Sequence, residues 1–445
     1  MMRFAPQHLL AALKQIPASS CYWVAYSGGL DSHVLLHALS TIRMELDADL
    51  KAVHINHGLS KDADAWSMHC KSVCSALNVP CHSIDVNAQP DPGESPEAAA
   101  RKARYAALSD IIGQGDCILT AHHQDDQAET VLLQMLRGAG PRGLAAMPSY
   151  TEFAAGVLAR PLLGFTRDEL RDYAIQQGLQ WVDDKSNFDT GYQRNYLRHE
   201  VIPLLKSRWP TLARVLSRTA AHCADTAFLV DEIGATDLDK IRGPEPNSIY
   251  VSRLLGLARA HQDNVLRFWL REMKLQVPET VHLDRLRQDV LDVADDRTPL
   301  LKWGDVELRR YRDFLYVMWS LPRHPHDVVL PWNLSEVLVL PAGTGRLSAQ
   351  QKKGKGLNAA LCHTQPVTVR YRQGGERCKP AGDVHTREVK KLFQEQGIPP
   401  WHRDRIPFIY VGDQLAAIAD FWVCQPCQAG QNDIGFDIAW LPNEP

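Results

Sequence analysis

Short apolar runs alternate with helical patterns over about the first 190 residues of the chain. Tyr22–Tyr26, Ala52–Asn56, Ser83–Val86 and Ile118–Ala121 are compact, mostly apolar runs that predict strands. Between them, Ser32–Leu39, Ala63–Leu77 and Pro96–Ile112 place apolar residues at helical spacing. Strand–helix–strand alternation predicts a mostly parallel sheet covered on both faces. Such sheets bind ligands beyond the carboxyl ends of their strands, near a topological switch point. Around Gln193–Arg218 the pattern becomes long and helical, and helical signals continue through Leu254–Met273 and His282–Val293. From about Leu301 the text LKWGDVELRRYRDFLYVMW predicts strands, Gln350–Gly356 predicts an exposed linker or hairpin tip, and a last module spans about Pro366 to Gly430. The expected organisation is an N-terminal Rossmann-like α/β domain over residues 1–215, a mainly helical middle domain over 216–345, and a small mixed α+β C-terminal domain over 346–445.

Composition narrows the class. At 445 residues the chain is longer than one core usually organises, and 45% hydrophobic with 23% charged residues argues against a disordered or fibrous chain. No run approaches the ~20 apolar residues that span a bilayer, and MMRFAPQHLLAALKQIP lacks the build of a signal peptide. Ten cysteines are too sparse for a disulfide scaffold, and Cys21, Cys81 and Cys117 fall in strand-like runs as small core residues. Cys424-Gln-Pro-Cys427 has no second Cys/His pair at zinc-ligand spacing. A reduced, cytoplasmic protein with no membrane partner is expected. The formal charge of −3 means that any nucleic-acid binding comes from local patches.

Two motifs carry chemistry. Ser27-Gly28-Gly29-Leu30-Asp31-Ser32 follows a predicted strand and opens a predicted helix. Two glycines permit a tight turn that brings backbone N–H groups to an anion, the helix N-terminus adds donors and positive dipole, and Ser27 and Ser32 add hydroxyls. No lysine stands in Walker A register, and the pattern is not GxGxxG. SGGxDS after a strand resembles the PP-loop of the ATP pyrophosphatase superfamily, which implies ATP as cosubstrate. The bland alternative is a tight turn capped by Asp31.

The second motif, Ala121-His-His-Gln-Asp-Asp-Gln-Ala-Glu129-Thr, follows the strand at Ile118–Ala121 and enters an apolar helix. On a helix, His122, Asp126 and Glu129 share one face, Asp125 is adjacent, and His123 points about a quarter turn away. If helicity begins later, both histidines lie in the preceding loop. Acids at a helix start also complement its dipole, which accounts for one or two carboxylates but not for three beside two histidines. Such carboxylates can hold Mg²⁺ on ATP phosphates or bind a cationic amine. A lysine ε-amine has a pKa near 10.4, so removing its proton at neutral pH costs roughly 4–5 kcal/mol and calls for a base at the moment of reaction.

In order along the chain stand SGGLDS, His54-Ile-Asn-His-Gly-Leu59, Glu97-Ala-Ala-Ala-Arg-Lys-Ala-Arg-Tyr105, AHHQDDQAET, Leu136-Arg-Gly-Ala-Gly-Pro-Arg-Gly-Leu144, Asp184-Lys-Ser-Asn187, Arg194-Asn195 and Arg198. Together with Arg372-Gln-Gly-Gly-Glu-Arg377 and Pro399-Pro-Trp-His-Arg403 they resemble the tRNA(Ile)-lysidine synthase family over nearly the whole chain. The resemblance implies that ATP adenylates C2 of the wobble cytidine of an isoleucine tRNA with a CAU anticodon, releasing pyrophosphate. The ε-amine of L-lysine then displaces AMP, and decoding switches from AUG to AUA. It implies ATP binding by Ser27–Ser32, with Asp31 facing the reacting phosphates or Mg²⁺. It assigns lysine holding and activation to His122, Asp126 and Glu129, and places Arg101 and Arg194 near the phosphates and the intermediate, where positive charge stabilises phosphoryl transfer. It also makes a homodimer the expectation. Asn56 and Ser60 replace the family's usual acid and arginine in HIDHGLR, so their expected role is strand-end packing, with His54 and His57 equally open to a structural one.

Two basic segments suit phosphates. Gln193–Arg218 carries six Lys or Arg against one acid, and residues 366–412 carry nine against five. Arg198, Lys206 and Arg208 in the first and Arg372, Arg377, Lys390, Lys391 and Arg403 in the second are the expected tRNA contacts. Tyr371, Phe393, Trp401 and Phe408 are expected mostly as core. Rival readings are a PP-loop tRNA thiolase, which needs cysteines near the nucleotide, and a tRNA-binding protein without catalysis, which has no need of the acidic cluster.

Overall fold

The computed structural model describes residues 4–442 apart from 59–61, 92, 94, 185–187, 279 and 292–298, so Leu59, Ser60, Lys185, Ser186, Asn187 and Val293 lie outside the described residues. The chain forms two compact units, Met1–Val230 and Asp231–Pro445.

In the first unit the elements run α1 (Gln7–Leu13), β1 (Cys21–Ala25), α2 (Leu30–Thr41), β2 (Asp49–Asn56), α3 (Ala63–Ala76), β3 (Cys81–Asp85), α4 (Pro96–Ile111), β4 (Asp116–Leu119) and α5 (Gln124–Leu136). There follow α6 (Pro141–Leu144), β5 (Tyr150–Phe153), β6 (Gly156–Ala159), α7 (Arg167–Gln176), α8 (Gln193–Tyr196) and α9 (Ile202–Arg208), and the 30-residue α10 (Leu212–Ile241) spans the boundary at Val230. Six strands form one sheet in the order β3-β2-β1-β4-β6-β5, parallel except for β5 against β6. Strand β1 shows why the expected architecture forms. Tyr22 and Val24 enter the core that contains Leu35, Leu36 and Leu39 of α2, while Cys21 and Trp23 enter a second core with Leu108 of α4. A strand buried on both faces needs a helical layer on each side. From β1 the chain steps outward to β2 and β3 and then returns to pair β4 on the other side of β1. The switch point therefore lies between β1 and β4, at the loops that carry both sequence motifs.

In the second unit, β7 (Ser248–Tyr250), α11 (Val251–Leu255), α12 (Arg259–Glu272) and α13 (Thr280–Leu286) precede β8 (Leu300–Trp303), β9 (Val306–Tyr311) and β10 (Phe314–Trp319). The helical signal over Leu254–Met273 is two helices, because the chain breaks at Gly256–Ala258. The middle region is helical and adds a four-stranded sheet, β7-β10-β9-β8, around Trp269 and Trp303. Antiparallel sheets then build the C-terminal part, one formed by short strands at Leu330–Pro331, Val367–Arg370, Phe408–Val411, Gln414–Ile418 and Trp422–Val423. Gln350–Lys353, read above as linker or tip, instead ends the strand Arg346–Lys353, which pairs with Ile434–Leu441; only the turn at Gly354–Gly356 leaves it.

Two sequence expectations are corrected here. Cys424 is disulfide-bonded to Cys378, with Cα atoms 5.5 Å apart, so this pair departs from the reduced state expected for all the cysteines, while Cys427 stays free and buried. Arg403, expected at a phosphate, is buried; its Nε donates to the Ile398 carbonyl at 2.8 Å and its Nη2 to the Tyr311 hydroxyl at 3.0 Å. Tyr371, Phe393, Trp401 and Phe408 are core, as expected. Among the described residues no helix is long and apolar enough to cross a membrane.

Candidate active site

The loop after β1 turns into α2 through Gly28, whose φ of +82° is left-handed and whose added Cβ would meet Cys70 Sγ at 3.0 Å. Glycine is required there on both counts. The loop is held from within: Ser32 Oγ accepts from the Ser27 N–H at 3.2 Å, lies 3.1 Å from Ser27 Oγ, and donates to the Gly29 carbonyl at 3.0 Å. Val182 N–H donates to the Gly28 carbonyl at 3.0 Å. The carbonyls are thus turned into the protein, which leaves the opening of α2 as a set of N–H donors. Asp31 stands on the first turn of α2, and its Oδ1 is buried without a hydrogen-bond partner. Its other oxygen is 3.5 Å from His123 Nε2.

Helix α5 begins at Gln124, so both histidines precede it. His123 is the N-cap: its Nδ1 accepts from the Asp126 N–H at 3.4 Å while Asp126 Oδ2 accepts from the His123 N–H at 3.0 Å. That reciprocal box holds the ring between Asp31 and Asp126, with Nε2 3.3 Å from Asp126 Oδ2. Of the two placements that the sequence left open, the structure has the second: both histidines precede the helix, and His123 faces the cluster instead of turning away as it would on the helix. Burial works against charge on His123, but Asp126, Asp31 and Asp125 outweigh it and raise its pKa. His122 behaves in the opposite way. Burial dominates, Arg160, Arg194 and Arg101 reinforce it against Asp126, and the pKa falls to about 4. His122 Nδ1 lies 2.9 Å from Thr120 Oγ1, which is itself 3.4 Å from the Ala159 carbonyl. If the hydroxyl donates to that carbonyl, it accepts from Nδ1–H, and in that tautomer Nε2 of His122 is the free acceptor.

The acids of α5 meet the bases of a helix far along the chain. Arg194 Nε donates to Glu129 Oε2 at 2.7 Å, Arg198 Nε to Glu129 Oε1 at 2.6 Å, and Arg198 Nη2 to Asp126 Oδ1 at 2.9 Å. Glu129 is 1% exposed, so both guanidinia converge on a buried carboxylate. The chain makes a π-helical turn at Leu197–Val201 between α8 and α9, just before Pro203. Proline has no N–H and crowds an α-helical carbonyl, and a wider turn relieves that conflict; it also puts Arg198 beside Arg194. Lys206 Nζ reaches Asp125 Oδ1, whose other oxygen accepts the Arg167 N–H at 2.8 Å. Against the effect of burial, His123, Arg194, His122 and Arg198 hold Asp126 down at about 2.

The predicted residues therefore fall into groups. Ser27–Ser32, His122, Asp126, Glu129 and Arg194 lie at one edge of the sheet, joined by Arg198 and Lys206, which bind carboxylates here rather than standing as open phosphate contacts. Arg101 is on the exposed face of α4, its guanidinium 5.0 Å from the Tyr105 ring. Arg208, Arg377, Lys390 and Lys391 are exposed, and Arg372 pairs with Asp404 at 3.0 Å. Sequence reading missed Thr120, His123 and Arg160. Only His123 left a signal, an acid three residues after it at a helix start. His54 Nδ1 lies 2.9 Å from the Tyr26 carbonyl, and Asn56 caps the strand end by accepting the Gly58 N–H at 3.0 Å.

Comparisons with known proteins place the chain in a family. Residues 4–205 match a PP-loop domain, 250–316 a TilS substrate binding domain, and 367–440 a TilS substrate C-terminal domain. The tRNA(Ile)-lysidine synthase of Coxiella burnetii is 43% identical, the alignment covering 99% of this chain and 97% of that one. Those of Methylococcus capsulatus and Alkalilimnicola ehrlichii are 39% and 41% identical, covering 95% and 94% of this chain and 97% and 93% of theirs. By sequence identity and domain composition, the chain belongs to the tRNA(Ile)-lysidine synthase family.

Proposed function

We propose that this protein is an ATP-dependent tRNA ligase that joins L-lysine to the wobble cytidine of an isoleucine tRNA with a CAU anticodon, switching decoding from AUG to AUA. The observation that carries the reading is the meeting, at one switch point, of an anion-binding loop and an acidic helix start that shares His123 with it.

The N–H groups opening α2, with Ser27 and Ser32, hold the triphosphate. The cytidine O2 attacks the α-phosphorus and pyrophosphate leaves, so a poor leaving group becomes AMP. Arg194 and Arg101 stabilise charge developing on the phosphoryl oxygens. The lysine ε-ammonium first gives up one proton to solvent; the free amine then attacks C2, AMP departs with O2, and a second proton leaves the nitrogen as the C–N bond forms. His122 Nε2 is the group we assign to receive it. An imidazole kept neutral by burial is always ready, and the nitrogen becomes acidic as the C–N bond forms. Asp126 and Glu129, fixed by Arg194 and Arg198, orient the amine. The partnerless Asp31 Oδ1 fits a Mg²⁺ ligand, a hard cation taking a carboxylate oxygen. Held there, it would offset phosphate charge.

Exposed Arg208, Arg377, Lys390 and Lys391 are proposed to contact the tRNA backbone. The test is pyrophosphate release from Mg-ATP. Release is expected to need both the CAU isoleucine transcript and lysine at steady state; release that is indifferent to lysine contradicts the reading.

A further inference from the structure

A second cluster at the same edge contains no carboxylate. Arg160 follows β6, and because β6 runs parallel to β4 its carboxyl end opens on the site. Its residue is 8% exposed, its N–H donates to the Ser149 carbonyl at 2.7 Å, and its Nη1 donates to the Pro148 carbonyl at 2.9 Å. Its Nε is buried with no hydrogen-bond partner. The guanidinium also reaches the Tyr105 hydroxyl. Arg101 approaches the same hydroxyl from α4, Nη2 to Oη 3.4 Å, with its plane over the Tyr105 ring. Arg104 stands one turn on, its Nη2 3.3 Å from His57 Nε2. Among the described residues none of these three arginines pairs with a carboxylate, whereas Arg194 and Arg198 share two.

A buried guanidinium without a counter-ion is costly, and the structure offers no acid to offset it. Arg101 Nη2 lies 3.4 Å from the Tyr105 hydroxyl and Arg160 approaches the same group, and a guanidinium offers the phenol's own hydrogen no acceptor. That hydrogen is left to donate, in the direction from which an acceptor arrives. Arg101, Arg160 and Tyr105 thus form a three-donor cradle with no carboxylate in it, beside His122.

We infer that Arg160 and Tyr105 complete, with Arg101, a subsite for a phosphoryl anion, in which Arg160 positions Tyr105 and Tyr105 in turn pins the otherwise exposed Arg101. The inference rests on the proposed ATP-dependent reaction. The anion is a phosphate of ATP or its pyrophosphate product, or else a phosphodiester of the RNA.

The experiment compares wild type with Tyr105→Phe, Arg160→Lys and Arg160→Met. Tyr105→Phe keeps the ring contact to Phe153 and removes only the hydroxyl, so it serves where Arg160→Met fails to fold. Pyrophosphate binding by calorimetry, the KM for ATP, and the tRNA Kd with its salt slope are read for each. Losing one charge-assisted donor is expected to weaken pyrophosphate binding and raise the ATP KM about tenfold, with Arg160→Lys recovering part of the loss. If instead the tRNA Kd rises and its salt slope flattens by about one, the subsite stands with RNA as the source. Unchanged pyrophosphate, ATP and tRNA parameters in folded Tyr105→Phe overturn it. Wild-type turnover, measured alongside, tests the proposed reaction separately, because pyrophosphate binding does not depend on which base is modified.

Discussion

Two basic stretches look alike as text and become different objects in the folded chain. In Gln193–Arg218, Arg194, Arg198 and Lys206 turn inward onto Glu129, Asp126 and Asp125. In the C-terminal module, Lys390, Lys391 and Arg377 remain exposed while Arg403 is buried under Tyr311. Charge density along a sequence therefore measures how many cations there are and says nothing about what they face. The address is set by helix register and by which acid, here about 70 positions upstream in the chain, arrives opposite.

The contrast can be broken most severely at its inner end. Asp126→Ala removes a carboxylate that caps α5, faces His123 and receives Arg198, and is expected to lower turnover by about a thousandfold or more while the fold survives. Steady-state kinetics at equal folded concentration checks this; wild-type activity contradicts the site. Glu129→Gln takes charge from a carboxylate shared by two guanidinia and leaves them under-compensated. Its expected cost is about 3 kcal/mol in stability, read from denaturant midpoints, and Arg198 loses the interactions that raise its own pKa.

The outer end sharpens the comparison. Replacing Lys390 and Lys391 with Ala is expected to weaken tRNA binding about tenfold and reduce the salt slope by about two, with little change in stability. Arg403→Met is expected to do the reverse, costing about 1–3 kcal/mol of stability with the salt slope unchanged. A flattened slope in Arg403→Met would move that residue back among the phosphate contacts.

The last test varies pH instead of residues. Burial, helped by neighbouring positive groups, lowers His33, His57, His122, His324 and His402 to about 4. In the unfolded chain they titrate near 6.5. Between those values the unfolded state binds protons that the folded state refuses. Stability is thus complete above about pH 6.5 and declines as pH falls toward 4. Midpoints that do not move between pH 7 and 5 would contradict this.

The fold was largely legible because β1 and β4 are apolar on both faces and the helices between them keep a clear period. The tight turn after β1 was legible because two glycines and two serines at a strand end favour one. His123 was not, since its position depends on where α5 starts, and a helical wheel assumes the answer. Thr120 and Arg160 were invisible because their meaning comes from neighbours across the sheet: Thr120 bonds Ala159, and Arg160 meets Tyr105. The Cys378–Cys424 bond likewise joins residues 46 positions apart that share no motif.

The central claim is the chemistry at the edge between β1 and β4. Mass spectrometry of a CAU isoleucine tRNA transcript, after incubation with the protein, Mg-ATP and lysine, tests it most directly. The account predicts a lysine-dependent mass gain confined to the wobble cytidine. An unmodified transcript, from folded protein shown to bind both that tRNA and ATP, would contradict it.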